Sequence, residues 1–235
     1  MSGEIHGQPD VGVVIVAAGA GSRTGSTELK QFRWVAGKPM VLHSLQTFQE
    51  RPDVAMVVVV LPKKYAGDPP PWLFQCDTER MLVSVGGRER SDSVRNGLED
   101  LAREARIVAV HDAARPFVTP ALIDRVITEA RKGHGAIPGL PVVDTLKRAN
   151  ENDAVSETIE RDRIWRAQTP QAFPREMIEA AYADAWGAGV AGTDDASLCE
   201  RLGLPVVVVQ GSERAMKITT DADFARAEAL SILPE

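Results

Sequence analysis

Cysteine is scarce in this chain of 235 residues, which has only Cys76 and Cys199. The two lie far apart and lack the spacing of metal ligands, so the sequence offers no disulfide framework and no cysteine-based metal site. Long apolar runs are also missing, since the longest, Val54–Leu61, is far too short to cross a membrane. The first ten residues have no basic region followed by an apolar stretch, so no secretion signal is expected. These absences predict a cytoplasmic protein with no membrane partner.

Basic residues are also fewer than acidic ones. The chain has 27 lysines and arginines against 33 aspartates and glutamates, a formal net charge of -6. This balance gives no reason to expect a nucleic-acid partner. An acidic chain that handles an anionic substrate must gather its cations locally, so clustered Arg and Lys are the informative residues. The content of 44% apolar and 26% charged residues is typical of a folded globular protein.

Apolar runs alternate with amphipathic stretches along the chain. Strands are predicted at Val11–Val16, Val54–Leu61, Met81–Val85, 107–110 and 206–209. Their near-continuous hydrophobicity indicates a parallel sheet covered by helices on both faces. Helices are predicted at 39–50, 89–104, 120–132, 174–186, 194–202 and 221–230. The alternation predicts an α/β fold with a doubly wound, mostly parallel sheet, in a single domain over residues 1–235.

One segment, residues 139–168, breaks this alternation. It contains two extended runs around the turn-like residues 150–153, and its charges are too dense for a hairpin buried in the core. We expect this segment to project from the domain as a β-arm, as a dimerisation element rather than a linker.

A glycine-rich loop follows the first strand. It matches neither a Walker loop nor a dinucleotide-binding fingerprint, because Thr24 stands where the latter needs its third glycine. What remains is the small-residue run 17–19, followed by Arg23 and Lys30. Small residues let backbone N–H groups approach a phosphate, which the two cations can flank. A plain glycine turn with two solvated cations is an equal alternative on this loop alone.

The ends of other predicted strands carry similar signals. A second glycine turn, GGRERSDSV at 86–94, ends in hydroxyl groups at a helix start. Asp112 follows another strand and is placed to hold Mg²⁺ beside phosphates, with a turn-forming role as its alternative. We interpret its neighbour His111 as a hydrogen-bonded core residue, and we place Lys217 on a short strand before the last helix. Because ligands of such sheets bind beyond the carboxyl ends of the strands, these residues predict one anion site.

Seven motifs in order cover nearly the whole chain: AAGAGSR with LKQF, GGRERSDSV, VHDAARP, DTLKR, TPQAF, TDDAS and KIT. In this order they resemble the 2-C-methyl-D-erythritol 4-phosphate cytidylyltransferase family of the non-mevalonate isoprenoid pathway. The resemblance implies a nucleotidyltransferase fold and a homodimer joined by the arm. It also implies transfer of the cytidylyl group of CTP to 2-C-methyl-D-erythritol 4-phosphate, giving 4-diphosphocytidyl-2-C-methyl-D-erythritol and pyrophosphate.

The same resemblance implies residue roles and a divalent cation, Mg²⁺ or another, on Asp112. The implied CTP contacts are Ala17, Ala18, Gly19, Gly87, Arg90, Ser93, Asp112 and Ala113. The implied acceptor contacts are Thr145, Arg161 and Lys217, and the implied catalytic residues are Arg23, Lys30, Arg161 and Lys217. The acceptor phosphate is already an ionised nucleophile, so catalysis would rest on in-line positioning and charge stabilisation.

Three alternatives stay open at this point. A cytidylyltransferase for another sugar-alcohol phosphate, such as ribitol 5-phosphate, would share the fold, the CTP site and the metal. An oxidoreductase with a dinucleotide cofactor is disfavoured by the failed fingerprint. A catalytically silent binding module is disfavoured because Arg23, Lys30 and Lys217 are all present.

Overall fold

A computed structural model describes residues 8–19 and 29–233. The predictions for Arg23 and Thr24 lie outside the described residues. The strands are β1 (Val11–Val16), β2 (Trp34–Val35), β3 (Lys38–Pro39), β4 (Val54–Leu61), β5 (Met81–Val85), β6 (Ile107–Asp112), β7 (Gly135–Pro141), β8 (Leu146–Ala149), β9 (Val155–Ile159), β10 (Trp165–Ala167), β11 (Gln171–Pro174) and β12 (Val206–Gln210). The helices are α1 (Met40–Gln49), α2 (Lys63–Ala66), α3 (Arg90–Glu99), α4 (Pro120–Arg131), α5 (Arg175–Ala188), α6 (Asp195–Arg201) and α7 (Asp221–Ser231).

The central sheet has eight strands and mixed direction. Strand β1 lies at its centre, parallel to both β6 and β4, and β4 is parallel to β5. Strand β11 is antiparallel to β6 and β7, β10 is antiparallel to β7, and β12 is parallel to β7. The predicted mostly parallel sheet is confirmed. The antiparallel part was not predicted, because β7 contains glycines and prolines that argue against a central strand.

Helices cover both faces of this sheet, as predicted. Alternate side chains of β1 point to opposite sides, so Val13 and Ile15 pack with α1 and α4 while Val14 packs with α3, α5 and α6. All three side chains are fully buried. Burial on both faces explains why β1 reads as a continuous apolar run rather than an alternating one.

Several predicted boundaries differ from the structure. Helix α3 ends at Glu99, not at 104, because Leu101 and Ala105 turn under the start of β1 and fill the space beside Gly12. Strand β6 continues through Asp112, which places this carboxylate at the strand's last position. The prediction that Lys217 lies on a short strand is wrong: residues 216–219 are irregular.

The arm is a separate two-stranded sheet in which β8 and β9 pair antiparallel around residues 150–153. The two extended runs are therefore confirmed, but the predicted limits 139–168 are wrong. Residues 139–141 belong to β7, and 165–167 form β10 within the central sheet. We use the name arm for residues 142–164, whose side chains are mostly exposed.

The described residues contain no helix that is both long enough and apolar enough to cross a membrane.

Candidate active site

A cavity of about 530 Å³ lies at the carboxyl ends of β1, β5 and β6. We call it the strand-end cavity. It brings together most of the residues that the sequence singled out: Ala17, Ala18, Gly19, Lys30, Gly87, Arg90, Ser93, Asp112, Ala113 and Lys217. Among the described residues, its lining carries four cationic side chains and two carboxylates. A chain with a net charge of -6 thus concentrates positive charge where an anion can enter.

The wall formed by the end of β1 is held by Gln31, a buried residue that the sequence analysis did not assign. Its Nε2 donates hydrogen bonds to the carbonyl oxygens of Ala17 and Gly19, the latter at 3.2 Å. Gln31 lies in a short 3₁₀ helix with Lys30, so these bonds fix Lys30 beside the loop. No pattern in the sequence marks a glutamine for this role.

The opposite wall is the glycine turn after β5. A Cβ on Gly86 would lie 2.2 Å from the Cβ of Ala18, and one on Gly87 would lie 2.1 Å from the Cβ of Asp92. Only glycine permits this close approach of the two loops. The N–H of Gly87 donates to Ser93 Oγ at 3.1 Å, and the Ser93 hydroxyl donates to the carbonyl oxygen of residue 89 at 3.1 Å. The hydroxyl of Ser93 therefore shapes the turn.

Asp112 lies between two cations at the floor of the cavity. Its Oδ2 accepts from Lys217 Nζ at 2.7 Å, and its Oδ1 accepts from Arg90 Nε at 3.2 Å. Burial works against ionisation, but the charges of Arg90 and Lys217 outweigh it and hold the pKa of Asp112 well below its usual range. The carboxylate is therefore ionised, and it orients both cations.

The next residue back along β6, His111, is neutral and structural, as predicted. Thr169 Oγ accepts from the N–H of Asp112 at 3.0 Å and so directs its own proton to His111 Nδ1 at 3.1 Å. His111 Nε2–H then donates to the carbonyl oxygen of Arg115 at 3.1 Å. Complete burial lowers the pKa of His111 to about 4. Thr169, which lies in the TPQAF motif, is a positioning residue that the sequence analysis left without a role.

Arg90 also forms an ion pair with a second carboxylate, Asp195, which the sequence analysis did not assign. Asp195, the first residue of α6, is fully buried and accepts from Arg90 Nη1 at 3.0 Å and Nη2 at 2.8 Å. In this bidentate pair each Nη atom uses one of its two N–H groups, and Nε faces Asp112. The signal available was the TDDAS motif, but spacing alone cannot pair residues so far apart in sequence.

A second cavity of about 670 Å³ adjoins the first, and Lys217 lines both. We call it the adjoining cavity. Among the described residues that line it, the other cations are Arg115, Arg166 and Arg226, and the one carboxylate is that of Glu213. The ammonium group of Lys217 therefore lies between two sites that both favour anions.

The arm residues are not part of either cavity. Thr145 is exposed, and Arg161 is exposed with its Nη1 donating to the carbonyl oxygen of Val143. The structure of a single chain thus brings Lys217 into the cavity but leaves Thr145 and Arg161 outside it.

The predicted metal site consists of one side chain. Among residues 8–19 and 29–233, no group of three or more His, Cys, Asp or Glu side chains is arranged to hold a metal ion. Mg²⁺ is commonly bound by one or two carboxylates together with substrate phosphates. A lone, ionised Asp112 on the wall of a cationic cavity fits that donor set.

The fold is similar to solved structures over nearly its whole length. The crystal structure of 2-C-methyl-D-erythritol 4-phosphate cytidylyltransferase from Thermus thermophilus matches with a TM-score of 0.80 and 36% identity, covering 95% of this chain and 100% of that one. The 4-diphosphocytidyl-2C-methyl-D-erythritolsynthase from Anaerococcus prevotii matches with a TM-score of 0.82 and 27% identity, covering 94% and 95%. This fold, with a cationic cavity at its strand ends, defines a nucleotidyltransferase.

The sequence comparison is more specific. The sequence model of the 2-C-methyl-D-erythritol 4-phosphate cytidylyltransferase (IspD) family matches residues 11–232. The protein of that name from Syntrophus aciditrophicus is 42% identical over 225 residues, covering 94% of this chain and 96% of that protein. The chain therefore belongs to the 2-C-methyl-D-erythritol 4-phosphate cytidylyltransferase family, and the resemblance seen in its motifs is confirmed. Members of this family join CTP and 2-C-methyl-D-erythritol 4-phosphate with release of pyrophosphate.

Proposed function

We propose that CTP binds in the strand-end cavity and that the phosphate of 2-C-methyl-D-erythritol 4-phosphate attacks its α-phosphorus in line. The products are 4-diphosphocytidyl-2-C-methyl-D-erythritol and pyrophosphate. The observation that carries this proposal is the position of Lys217, which lines both the strand-end cavity and the cationic adjoining cavity. A reaction between two anions needs a cation at the boundary between their sites.

The cations act on the charge that develops at the attacked phosphorus. Lys30 and Lys217 lie on the cavity wall, and Arg23 is proposed to join them. The acceptor phosphate is already ionised, so no side chain has to remove a proton from the nucleophile. Fixed positive groups then lower the barrier by holding the reactants in line and by stabilising the charge on the equatorial oxygens.

The nucleoside end of CTP is proposed to lie against the glycine turn. Gly87 and Ser93 line that side of the cavity, and we propose that the ribose and phosphates lie against the backbone of residues 17–19 and Ala113, which also line it. Arg90 was predicted to contact CTP. Because Arg90 is paired with both Asp195 and Asp112, we propose that it also orients Asp112.

Asp112 would hold Mg²⁺, or another divalent cation, together with phosphate oxygens of CTP. When bound, the cation supplies charge neutralisation between two polyanions. Asp112 is ionised and Lys217 bonds one of its oxygens, so the carboxylate and the ammonium are both within reach of an incoming phosphate. The chain's own contribution is this fixed pair of opposite charges.

The acceptor is proposed to bind in the adjoining cavity beside Lys217 and Arg115. We propose that Thr145 and Arg161 reach it from the arm of a second copy, so the proposal includes a homodimer with shared sites. Their absence from the cavities of one chain supports this arrangement. The cytoplasmic location stays a prediction from the sequence.

One assay tests the proposal. The purified chain is incubated with CTP and Mg²⁺ plus 2-C-methyl-D-erythritol 4-phosphate, ribitol 5-phosphate or no acceptor, and pyrophosphate and the nucleotide product are measured. We expect turnover with the methylerythritol phosphate only, none in excess chelator, and recovery when Mg²⁺ is restored. Turnover with ribitol 5-phosphate instead would reassign the acceptor, and full activity in chelator would contradict the metal role of Asp112.

A further inference from the structure

We propose that Tyr182, acting through Asp195, is a positioning residue for the cations of the strand-end cavity. The inference rests on the proposed function. Tyr182 donates a hydrogen bond from its hydroxyl to Asp195 Oδ1 at 2.6 Å. Neither residue lines the strand-end cavity, so neither touches a substrate bound there.

A continuous series of polar contacts leads from Tyr182 to Lys217. Asp195 accepts from Tyr182 and from both Nη atoms of Arg90, Arg90 donates from Nε to Asp112, and Asp112 accepts from Lys217. Two carboxylates and two cations alternate along this series, so the charges are balanced before any substrate enters. Any rotation of the Asp195 carboxylate therefore displaces Arg90 and, through it, Asp112.

The hydroxyl of Tyr182 is the third donor that holds the Asp195 carboxylate in one orientation, beside the two Nη atoms of Arg90. The Asp195 side chain is fully buried, so water cannot replace a lost donor. Tyr182 is itself buried, on the face of α5 that also carries Ile178 and belongs to the same buried cluster as Leu198 of α6. Burial and the Asp195 charge raise the pKa of Tyr182 well above its ordinary value, so the phenol remains a donor through the working pH range.

The backbone of Asp195 is secured independently of Tyr182. Gln171 Oε1 accepts from the N–H of Ala196 at 3.0 Å, and Gln171 Nε2 donates to Asp194 Oδ2 at 2.8 Å. Removing the Tyr182 hydroxyl should therefore leave α6 in place and take away one of the three donors to the carboxylate. This separation makes the proposed role testable without unfolding the site.

The experiment measures kcat and the KM for CTP in Tyr182→Phe, Asp195→Asn and the double variant, with thermal unfolding of each. A hydrogen bond to a buried charge is strong, and only part of its loss reaches the reacting atoms, so we expect Tyr182→Phe to lower kcat about tenfold. The KM for CTP should change less than about twofold, because Tyr182 touches no substrate. In the double variant, kcat should be nearly that of Asp195→Asn alone. Tyr65→Phe, which removes the hydroxyl of the only other tyrosine, is the matched control.

Three results would overturn the inference. The first is a wild-type kcat in Tyr182→Phe. The second is a double variant whose loss of kcat equals the product of the losses in the two single variants. The third is a Tyr182→Phe enzyme in which only the KM for CTP changes. If Asp195→Asn does not fold, Arg90→Lys replaces it in the cycle, since lysine cannot form the bidentate pair. A wild-type chain without turnover would overturn the proposed function as well, whereas turnover unaffected by Tyr182→Phe overturns the inference alone.

Discussion

The strand-end cavity and the arm hold their cations in different ways. In the cavity, Lys217 and Arg90 are fixed by Asp112, whose side chain is only 12% exposed. In the arm, the ion pair of Arg148 and Glu157 joins side chains that are 65% and 53% exposed. Pairs in such exposed positions contribute little stability and hold no fixed geometry. The cations of the cavity are therefore held in position within one chain, whereas the exposed ion pair of the arm does not fix the position of its cation.

This contrast concerns the two parts of the proposed site, the strand-end cavity and the arm. A buried network orients its groups before the ligand arrives, which is the property that charge stabilisation requires. The exposed Arg161 is bound only to a backbone carbonyl of its own arm, so it is available to a partner chain. The two halves of the site are expected to respond differently to mutation.

The largest effect is expected from Lys217→Ala. This change removes the ammonium between the two cavities and should lower kcat roughly 10²–10³-fold, the range for loss of one well-placed charge-stabilising donor. Steady-state pyrophosphate release measures it. Lys132→Ala, at the end of α4 where its ammonium pairs with Glu129, is the control and should keep normal turnover. A Lys217→Ala enzyme with near-normal kcat would show that the cavity's fixed charges do not act on the reaction.

The next prediction concerns the arm. Lys30→Ala and Arg161→Ala homodimers should each be nearly inactive, since each lacks one cation at every site. If arms are exchanged across a two-fold axis, a mixed dimer has one site with both lesions and one with neither. Random reassociation makes about half of the dimers mixed, so about a quarter of all sites should be intact. Activity after dissociation and mixing should rise towards that fraction.

The mixing experiment has a clear negative outcome. Heterodimers are detected by a size tag on one variant, and wild-type protein taken through the same procedure gives the reference activity. If heterodimers form and no activity returns, Arg161 serves its own subunit, and the division of the site between cavity and arm is wrong.

The smallest effect is expected from His111, which supports the cavity without facing it. Below about pH 6.5 the unfolded chain protonates this imidazole, whereas the folded chain does so only near pH 4. The folded state therefore loses stability as the pH falls through this window, by about 2–3 kcal/mol at its lower end. Denaturant unfolding at a series of pH values measures this loss.

His111→Gln should flatten that pH dependence, whatever it does to stability at neutral pH. His134→Gln, in the turn between α4 and β7, is the matched control for the loss of an imidazole. If the unfolding free energy of His111→Gln fell with pH as steeply as that of the wild type, other groups would cause the acid sensitivity. The burial of His111 would then not explain it.

Much of the fold was predictable because it depends on local periodicity. The bounds of β1, β4 and β5 agree to the residue with their apolar runs. Strands β1 and β4 are buried almost throughout, which makes that signal strong, whereas β5 lies at the end of the sheet with Leu82 and Val85 exposed. Strands β10 and β11 were missed because a run of three or four residues carries little periodic signal. Strand β7 was missed because it contains glycine and proline.

The site was predictable where it lies directly after a strand. Ala17, Gly87 and Asp112 follow or end strands of one sheet, and parallel strands bring their carboxyl ends together. Gln31 and Thr169 were missed, because an amide or hydroxyl that binds backbone atoms follows no sequence spacing.

Local patterns in the sequence specify the parallel half of the sheet, the helices on both its faces, and the cations after successive strands. They can do so because apolar periodicity and strand-end position are local properties of the chain. Which carboxylate orients which cation depends instead on packing between segments that are distant in sequence. Asp195 and Arg90 are 105 residues apart, as are Asp112 and Lys217. Such pairs form because α6 and the segment before α7 both lie near the carboxyl end of β6. Burial at that place makes the free-energy cost of an unpaired charge high.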